Sequence, residues 1–511
     1  MKKRYGNIIK MIIFAAVYLL LIFALISAEA GAEGASIKSV PTALWYTLTT
    51  LTTVGYGDVY PVTAAGKIIG AVFQVLSIGL LAFIISIFIS HMRERWLILR
   101  LKLRRSRPWY IFADSNARSA ALAKSIRIGQ PGSVVLFCSG EKAMLTPKRA
   151  VELKNGKDGA NVFFLGGDIL KNIAEMRQME GLNCSIYCMG AEELVPAGNI
   201  RAFDPVNGCA RLYWQRFPVT NVRENIVLIG EGSRAEAILE KGLQQNVLAS
   251  DSHIVYRVFG DLSGFRLSHP GLEMLFNMKE GCSSGDSLIF MADAWEESER
   301  VIKKADRIIV CFDETEKTLD TITRLQRYFG TGAAVHANLP VQVNGVQVFG
   351  SDEELFTSEI VMRKALDKKA EAIHEIYTRQ SAGGNKKTWD QLDGFARESN
   401  RAAADHLMTK VWILTKETAA DPDPSLIGRA WEEYKAADEA EHTEYRRIEH
   451  ERWMRFHILR NWKYDPVRND GKRLHPLILP FDELTAEDQA KDDYSWELLG
   501  QMAVSGRKES L

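Results

Sequence analysis

Thr52-Thr53-Val54-Gly55-Tyr56-Gly57-Asp58 lies between two hydrophobic segments, and its reading decides the fold. Thr53, Val54, Gly55, Tyr56 and Gly57 can turn successive carbonyls, with the Thr53 hydroxyl, toward one narrow axis. Carbonyls facing one way in succession need left-handed backbone angles, which a Cβ resists and glycine accepts. Four such strands around one axis would replace the water shell of a dehydrated cation.

The flanks fit that geometry. Pro41 to Leu51 (Pro-Thr-Ala-Leu-Trp-Tyr-Thr-Leu-Thr-Thr-Leu) reads as a short helix, with proline at its start, where a missing N–H costs nothing. Its partly negative C-terminal end would point at a resting cation. Met11 to Ala28 is an 18-residue apolar run, and Ile68 to Ser90 holds only Gln74, Ser77 and Ser86 as polar interruptions beside its glycines. Each is long enough to cross ~30 Å of hydrocarbon as a helix. Lys2, Lys3, Arg4 and Lys10 precede the first, which would also suit a signal peptide, but the run exceeds a signal core and the next segment needs a retained helix beside it. Arg93, Arg95, Arg100, Lys102, Arg104, Arg105 and Arg107 follow the second, so basic outer flanks predict both termini in the cytoplasm. No arginine-repeat helix precedes the pore segment, so sensing of voltage by charged-helix movement is not expected.

Over residues 8–95 the chain resembles the two-transmembrane potassium channels, whose filter signature is the Thr-Val-Gly-Tyr-Gly run found here. The resemblance implies a homotetramer in the inner (plasma) membrane, with potassium held at Thr53, Val54, Gly55 and Tyr56. It also implies an aromatic cuff of Trp45 and Tyr46, with Asp58 hydrogen-bonded to the Trp45 indole. Two positions depart from the family. Thr49 stands where many members carry an acidic residue behind the filter. The hinge glycine usual at Ser77 is displaced to Gly79, so the hinge has moved or gating does not bend there. Phe83, Ile87 and His91 are candidates for pore lining or gate, or equally face lipid.

The rest of the chain reads as a soluble body. Composition is 46% hydrophobic and 25% charged, and 64 basic residues balance 64 acidic ones, so net charge points to no nucleic-acid partner. Cys138, Cys184, Cys188, Cys209, Cys282 and Cys311 form no C-x-x-C pair and read as buried thiols in a reducing cytosol.

Between 109 and 365, strands alternate with helical patterns, predicting parallel doubly wound sheets. The expected strands are 109–113, 133–138, 161–165 and 185–189, then 225–229, 253–259, 287–292, 306–312 and 333–336. Gly230-x-Gly232-x-x-Ala235, after a strand and before a helix, is a candidate nucleotide-binding turn, with Asp261 as a candidate ribose ligand. Ala113-Asp114-Ser115-Asn116-Ala117 takes that place in the first unit, lacks glycine, and predicts no dinucleotide there. Two purely structural Rossmann units remain the alternative. This order resembles the tandem RCK (regulator of potassium conductance) architecture, which implies a gating ring pulling the inner helices through the basic linker.

Beyond a connecting helix at 371–380 and a break at 381–385 comes a helical region rich in tryptophan: Trp389, Trp412, Trp431, Trp453, Trp462 and Trp496. His450-Glu-Arg-Trp453, the run Asn461 to Pro476, Leu479-Pro480-Phe481-Asp-Glu-Leu484 and Asn400-Arg401-Ala-Ala-Ala-Asp405-His406 resemble the ryanodine-receptor repeat (RyR) domain. Trp453, Trp462 and Tyr464 could form a stacking slot for a planar base, with Arg468, Lys472, Arg473 and His475 supplying charge for a phosphate. A packing module, with core tryptophans and solvated basic residues, is the other reading.

The expected order is a two-transmembrane pore (1–95), basic linker (96–108), two α/β Rossmann-like units (109–222 and 223–365), connecting helix and linker (366–387), a mainly α-helical RyR-like domain (388–500) and a tail (501–511). The expected function is a potassium channel gated by a nucleotide-type small molecule. The alternative is a potassium channel whose C-terminal domains serve assembly or protein interaction, gated by ions such as calcium or by a partner. No catalytic His/Lys/Tyr constellation suggests an enzyme, and no EF-hand loop is present.

Overall fold

The structure is a computed structural model describing residues 2–140, 143–154, 159–190, 200–281, 285–380, 387–419 and 424–509. The expected break at 381–385 and Cys282 lie outside the described residues. The chain forms two compact units, Met1–Arg104 and Arg105–Leu511.

The first unit contains helices Lys2–Glu29, Val40–Leu51 and Ala64–Leu103. At 1.5 Å per residue the outer two are ~42 and ~60 Å long. Ile22, Leu25, Ile37, Ala43, Tyr46 and Phe73 make their common core. Leu20, Phe23, Ile68, Val75 and Ile78 stand exposed along the long helices. The continuous helices expected at Met11–Ala28 and Ile68–Ser90 are present. Among the described residues, however, no helix is long and apolar enough to cross a membrane. The side chains of residues 1–15 and of Ser77, Phe83, Ile87 and His91 lie outside those described, so the hinge and gate candidates at these positions do too. The last helix runs on to Leu103, through most of the basic segment.

The second unit carries two parallel sheets. In the first, β1 (Trp109–Phe112), β2 (Val134–Phe137), β3 (Ala160–Phe164), β4 (Cys184–Met189) and β5 (Ile200–Phe203) lie in the order β2-β1-β3-β4-β5. In the second, β6 (Asn225–Gly230), β7 (Val255–Phe259), β8 (Ser287–Phe290), β9 (Arg307–Cys311), β10 (Ala334–Asn338) and β11 (Gln347–Phe349) lie in the order β11-β10-β9-β6-β7-β8. Counted from β6, that is the 3-2-1-4-5-6 order of a dinucleotide-binding fold, with its switch point between β6 and β9. One hydrophobic core joins the two sheets, including Phe112, Phe163, Leu228 and Tyr256. Helices Pro205–Arg216 and Ser233–Gln245 pack through Trp214, whose indole donates to the Ile238 carbonyl (2.8 Å). Gly242 is required there, because a Cβ would fall 2.5 Å from that ring.

Helices Gly394–Thr415, Pro424–Ala436, Glu439–Ile458 and Asp493–Glu509 build the C-terminal body around Val411, Ala430, Tyr434, Trp496 and Leu499. A two-strand pair, β12 (Lys463–Tyr464) and β13 (Leu474–His475), closes one end.

Candidate functional site

Residues 53–57, the expected filter, begin where the short helix stops. Thr53, Gly55 and Gly57 have φ of 56°, 53° and 75°, while Val54 and Tyr56 between them do not have positive φ. That alternation turns successive carbonyls to one side, and Thr53 bears the strain of a side chain in a region that favours glycine. The Thr49 carbonyl accepts the N–H groups of Val54 (3.0 Å) and Gly55 (3.2 Å). The backbone of Thr49 therefore braces the filter from the place where the family often has an acid, while its hydroxyl turns back to the Tyr46 carbonyl (3.1 Å).

Behind the filter, the Trp45 indole donates to Asp58 (2.9 Å) and stacks on Tyr56 with planes 4° apart at 5.8 Å. Tyr46 is buried and abuts Gly70, where a Cβ would lie 2.7 Å from its hydroxyl. Gly79 lies within the helix Ala64–Leu103 with open space where its Cβ would be.

Glu29 has a structural part to which the sequence alone assigned no role. Its wholly buried carboxylate accepts Val62 N–H (3.0 Å), Thr63 N–H (3.0 Å) and the Thr63 hydroxyl (2.6 Å). A Cβ on Gly66 would come within 2.0 Å of that carboxylate. Glu29 thus pins the segment leaving the filter and supplies negative charge at the start of the following helix. An acid at the end of an apolar run, facing a Thr-x-x-Gly helix start, was the available signal.

In the second α/β unit, Gly230 sits where a Cβ would meet the Cys311 carbonyl at 2.0 Å, and Gly232 has φ 85° at the start of its helix. Ala235 is fully buried against the strand. The turn has the backbone of a nucleotide cradle, but its space is filled. A Cβ on Gly232 would lie 2.2 Å from the Asp313 carboxylate, and Glu231 pairs with Lys317. A pyrophosphate at Gly230, Gly232 and Ala235 would face the Asp313 carboxylate, while the Glu231 charge is met by Lys317. Asp261, just beyond β7, accepts the Ser263 N–H (3.0 Å). In the first unit Asp114 fills the corresponding crevice, accepting the Gly166 N–H (2.8 Å).

The helical body holds a cavity of about 790 Å³. Trp453, Trp462, Arg468, Arg473 and His475 all line it, whereas Tyr464 lies outside the lining and half-exposed. The two tryptophans meet through histidines: His457 is 4.0 Å from Trp453 and 5.2 Å from Trp462, ring centre to ring centre. His475 lies edge-on to Trp453 at 4.9 Å. Burial pushes His457 down to about 3 and lowers His475, so both rings are neutral. His457 Nδ1 pairs with the Trp453 carbonyl (2.9 Å), and His475 Nδ1 accepts the Leu477 N–H (3.1 Å), which fixes both tautomers. The Trp462 indole N–H is buried without a partner among the described residues.

Sequence reasoning also missed the other face of this cavity's wall. On the helix Gly394–Thr415, Phe395, Ser399 and Asn400 line the cavity, while Glu398, Arg401 and Asp405 face the α/β units. Asp405 pairs with Arg211 (2.9 Å), Arg401 with Asp367 (2.6 Å) and Glu398 with Lys241 (3.1 Å).

Residues 8–94 match the family model described as "Ion channel". The potassium voltage-gated channel protein Shal of Drosophila melanogaster is 34% identical over 136 residues, which are 26% of this chain and 22% of that protein. The A-type voltage-gated potassium channel KCND3 of Homo sapiens is 34% identical over 82 residues, covering 16% of this chain and 12% of its own length. The chain thus spans less than a quarter of the relatives it matches. Among solved structures, the GsuK crystal structure bound to ADP overlaps 70% of this chain and 100% of that one, at 14% identity and a TM-score of 0.33. The GsuK channel bound to NAD overlaps 70% and 85%, at 14% identity and a TM-score of 0.30. At such scores the overlaps do not bear on the fold, which rests on the strand orders above.

Proposed function

We propose that this chain is the subunit of a homotetrameric, potassium-selective channel of the cell membrane, gated by a nucleotide-type small molecule in the helical C-terminal body. Thr53, Val54, Gly55 and Tyr56 would hold the ions. The observation that carries the pore is the alternating left-handed backbone of Thr53, Gly55 and Gly57, braced by the Trp45–Asp58 hydrogen bond. The match of residues 8–94 to an ion-channel family supports it. The apolar runs Met11–Ala28 and Ile68–Ser90, several of whose side chains lie outside those described, would cross the bilayer with both termini in the cytoplasm.

The sensing half rests on the aromatic cavity, where the RyR-like resemblance and the lining by Trp453, Trp462, Arg468, Arg473 and His475 coincide. A planar base against such rings is worth ~1–3 kcal/mol by stacking. Ligand drives opening only by the difference in its affinity for the closed and open states. The second reading, a packing or assembly module, draws on the buried ion pairs joining Glu398 and Asp405 to the α/β units and Arg401 to Asp367 of the connecting segment.

The test is flux from liposomes containing the purified full chain, with potassium or sodium inside and a nucleotide panel outside and inside. Potassium flux that exceeds sodium flux at least tenfold and changes with a nucleotide supports both halves. Equal fluxes sink the pore reading; selective flux indifferent to every nucleotide sinks the sensing reading.

A further inference from the structure

The cavity of the helical body carries its own charge inventory, and this constrains the ligand beyond the word nucleotide. Five carboxylates line it (Asp393, Glu449, Asp470, Asp488 and Asp492) against the cations Arg452, Arg468, Arg473 and Lys491, while His450, also in the lining, is spent on Asp492 (3.4 Å). The histidines nearest the tryptophans add no charge, since burial holds His457 and His475 neutral. Three of the four cations are already committed. Arg452 is buried on Glu449 (2.6 Å), Arg468 chelates Asp470 (2.7 Å), and Lys491 pairs with Asp488 (2.6 Å).

Arg473 differs. It is exposed, has no carboxylate partner among the described residues, and spends one N–H on the Arg460 carbonyl (2.7 Å). Its backbone is held at φ 54° by the β12–β13 pair, where its carbonyl accepts the Lys463 N–H (2.9 Å) and its N–H donates to the Asp470 backbone carbonyl (3.2 Å). A guanidinium with open donors suits a phosphate oxygen. A ligand bearing three or four negative charges would have to pry apart the committed pairs or sit against Asp470 and Asp488. Like charges placed so close discriminate against such a ligand.

Resting on the nucleotide reading of this cavity, we propose that its ligand is a phosphodiester nucleotide: one or two bases among the aromatic rings and a single charge per phosphate, met by Arg473. Nucleoside di- and triphosphates are selected against by Asp470 and Asp488. A volume of about 790 Å³ accommodates a cyclic mononucleotide or a two-base cyclic dinucleotide.

The experiment is calorimetric titration of the unmodified full chain in detergent at low ionic strength. The probes are cyclic AMP, cyclic GMP, cyclic di-AMP and cyclic di-GMP, against ATP and GTP. At least one diester should bind at least tenfold tighter than the triphosphate of its base. Arg473→Asn, which tolerates the left-handed backbone, should weaken that diester about tenfold. Asp470→Asn with Asp488→Asn should improve ATP or GTP binding and leave the diester within about threefold. Triphosphates binding as tightly as every diester overturn the charge selection while the nucleotide reading stands. Heat from none of the six probes overturns the nucleotide reading itself.

Discussion

At the scale of single residues, the filter shows how neighbours fix what its own side chains cannot. The strand's shape is imposed from behind and from beyond: Thr49 holds its start, Trp45 stacks on Tyr56 and holds its end through Asp58, and Glu29 holds the segment that leaves it. Glu29 is the most informative of these to change. In Glu29→Gln the amide oxygen keeps the two Thr63 donors and the amide nitrogen cannot accept from the Val62 N–H, which leaves that donor unpaired at a cost of ~1–3 kcal/mol. The expected result is a thermal midpoint lowered by several degrees and a potassium flux that decays faster, with ion selectivity retained while flux lasts. A midpoint and decay equal to the parent's would show that the carboxylate is not needed there. Trp45→Phe removes only the indole donor, and it should shift potassium-over-sodium discrimination more than it shifts thermal stability. Flux ratios in the liposome assay measure the first and calorimetry the second.

At the scale of elements, the helix Gly394–Thr415 faces two ways. Residues 395, 399 and 400 turn to the cavity, and 398, 401 and 405 turn nearly half a revolution away to the α/β units, as a 100° step per residue requires. If cavity occupancy gates the pore, that second face is where it is transmitted. Glu398→Gln should then leave nucleotide affinity within about threefold while cutting the nucleotide-induced change in potassium flux at least tenfold. Binding and flux falling together would instead mean that Glu398 shapes the cavity. The Rossmann strands were legible because Val, Ile and Phe runs such as Asn225–Gly230 end in glycine turns. β5, Ile200-Arg-Ala-Phe203, was not: it is a four-residue edge strand that only its pairing with β4 defines. β11 is shorter still. The Gly230-x-Gly232 turn was legible as a cradle, but the Asp313 that fills it lies some eighty residues on and is aimed there by β9. Tyr464 was grouped with Trp453 and Trp462 by nearness in sequence, while the strand β12 that carries it leaves it out of the lining.

At the scale of the whole molecule, the charges that sequence counts as balanced are sorted by burial into opposite dependences on pH. Burial lowers three histidines to about 3: His336 in the second sheet, with Arg307 and Arg216 adding to the effect, His406 beneath Lys410, and His457 in the cavity. Each is neutral in the folded chain and titrates near 6.5 when unfolded, so between those values the unfolded state binds more protons and stability rises with pH. Glu449, held below the usual carboxylate range by Arg452 and Lys410 despite its burial, works in the same direction at the acid end. His450 opposes them: Asp492 and the Leu479 carbonyl outweigh its burial and raise it, so its contribution is present in acid and lost as pH rises through its folded value. Four depressed histidines, His475 being the fourth, against one raised predict a thermal midpoint that falls steadily as pH is lowered from about 6.5 toward 4, measured on the full chain in detergent. His457→Gln keeps a hydrogen-bond donor for the Trp453 carbonyl but cannot take up a proton, so it should flatten that slope. A midpoint level across the window, or a slope unchanged in His457→Gln, would mean that these imidazoles accept protons in the folded state and that the cavity is more open to water than its packing of Trp453, His457 and Trp462 allows.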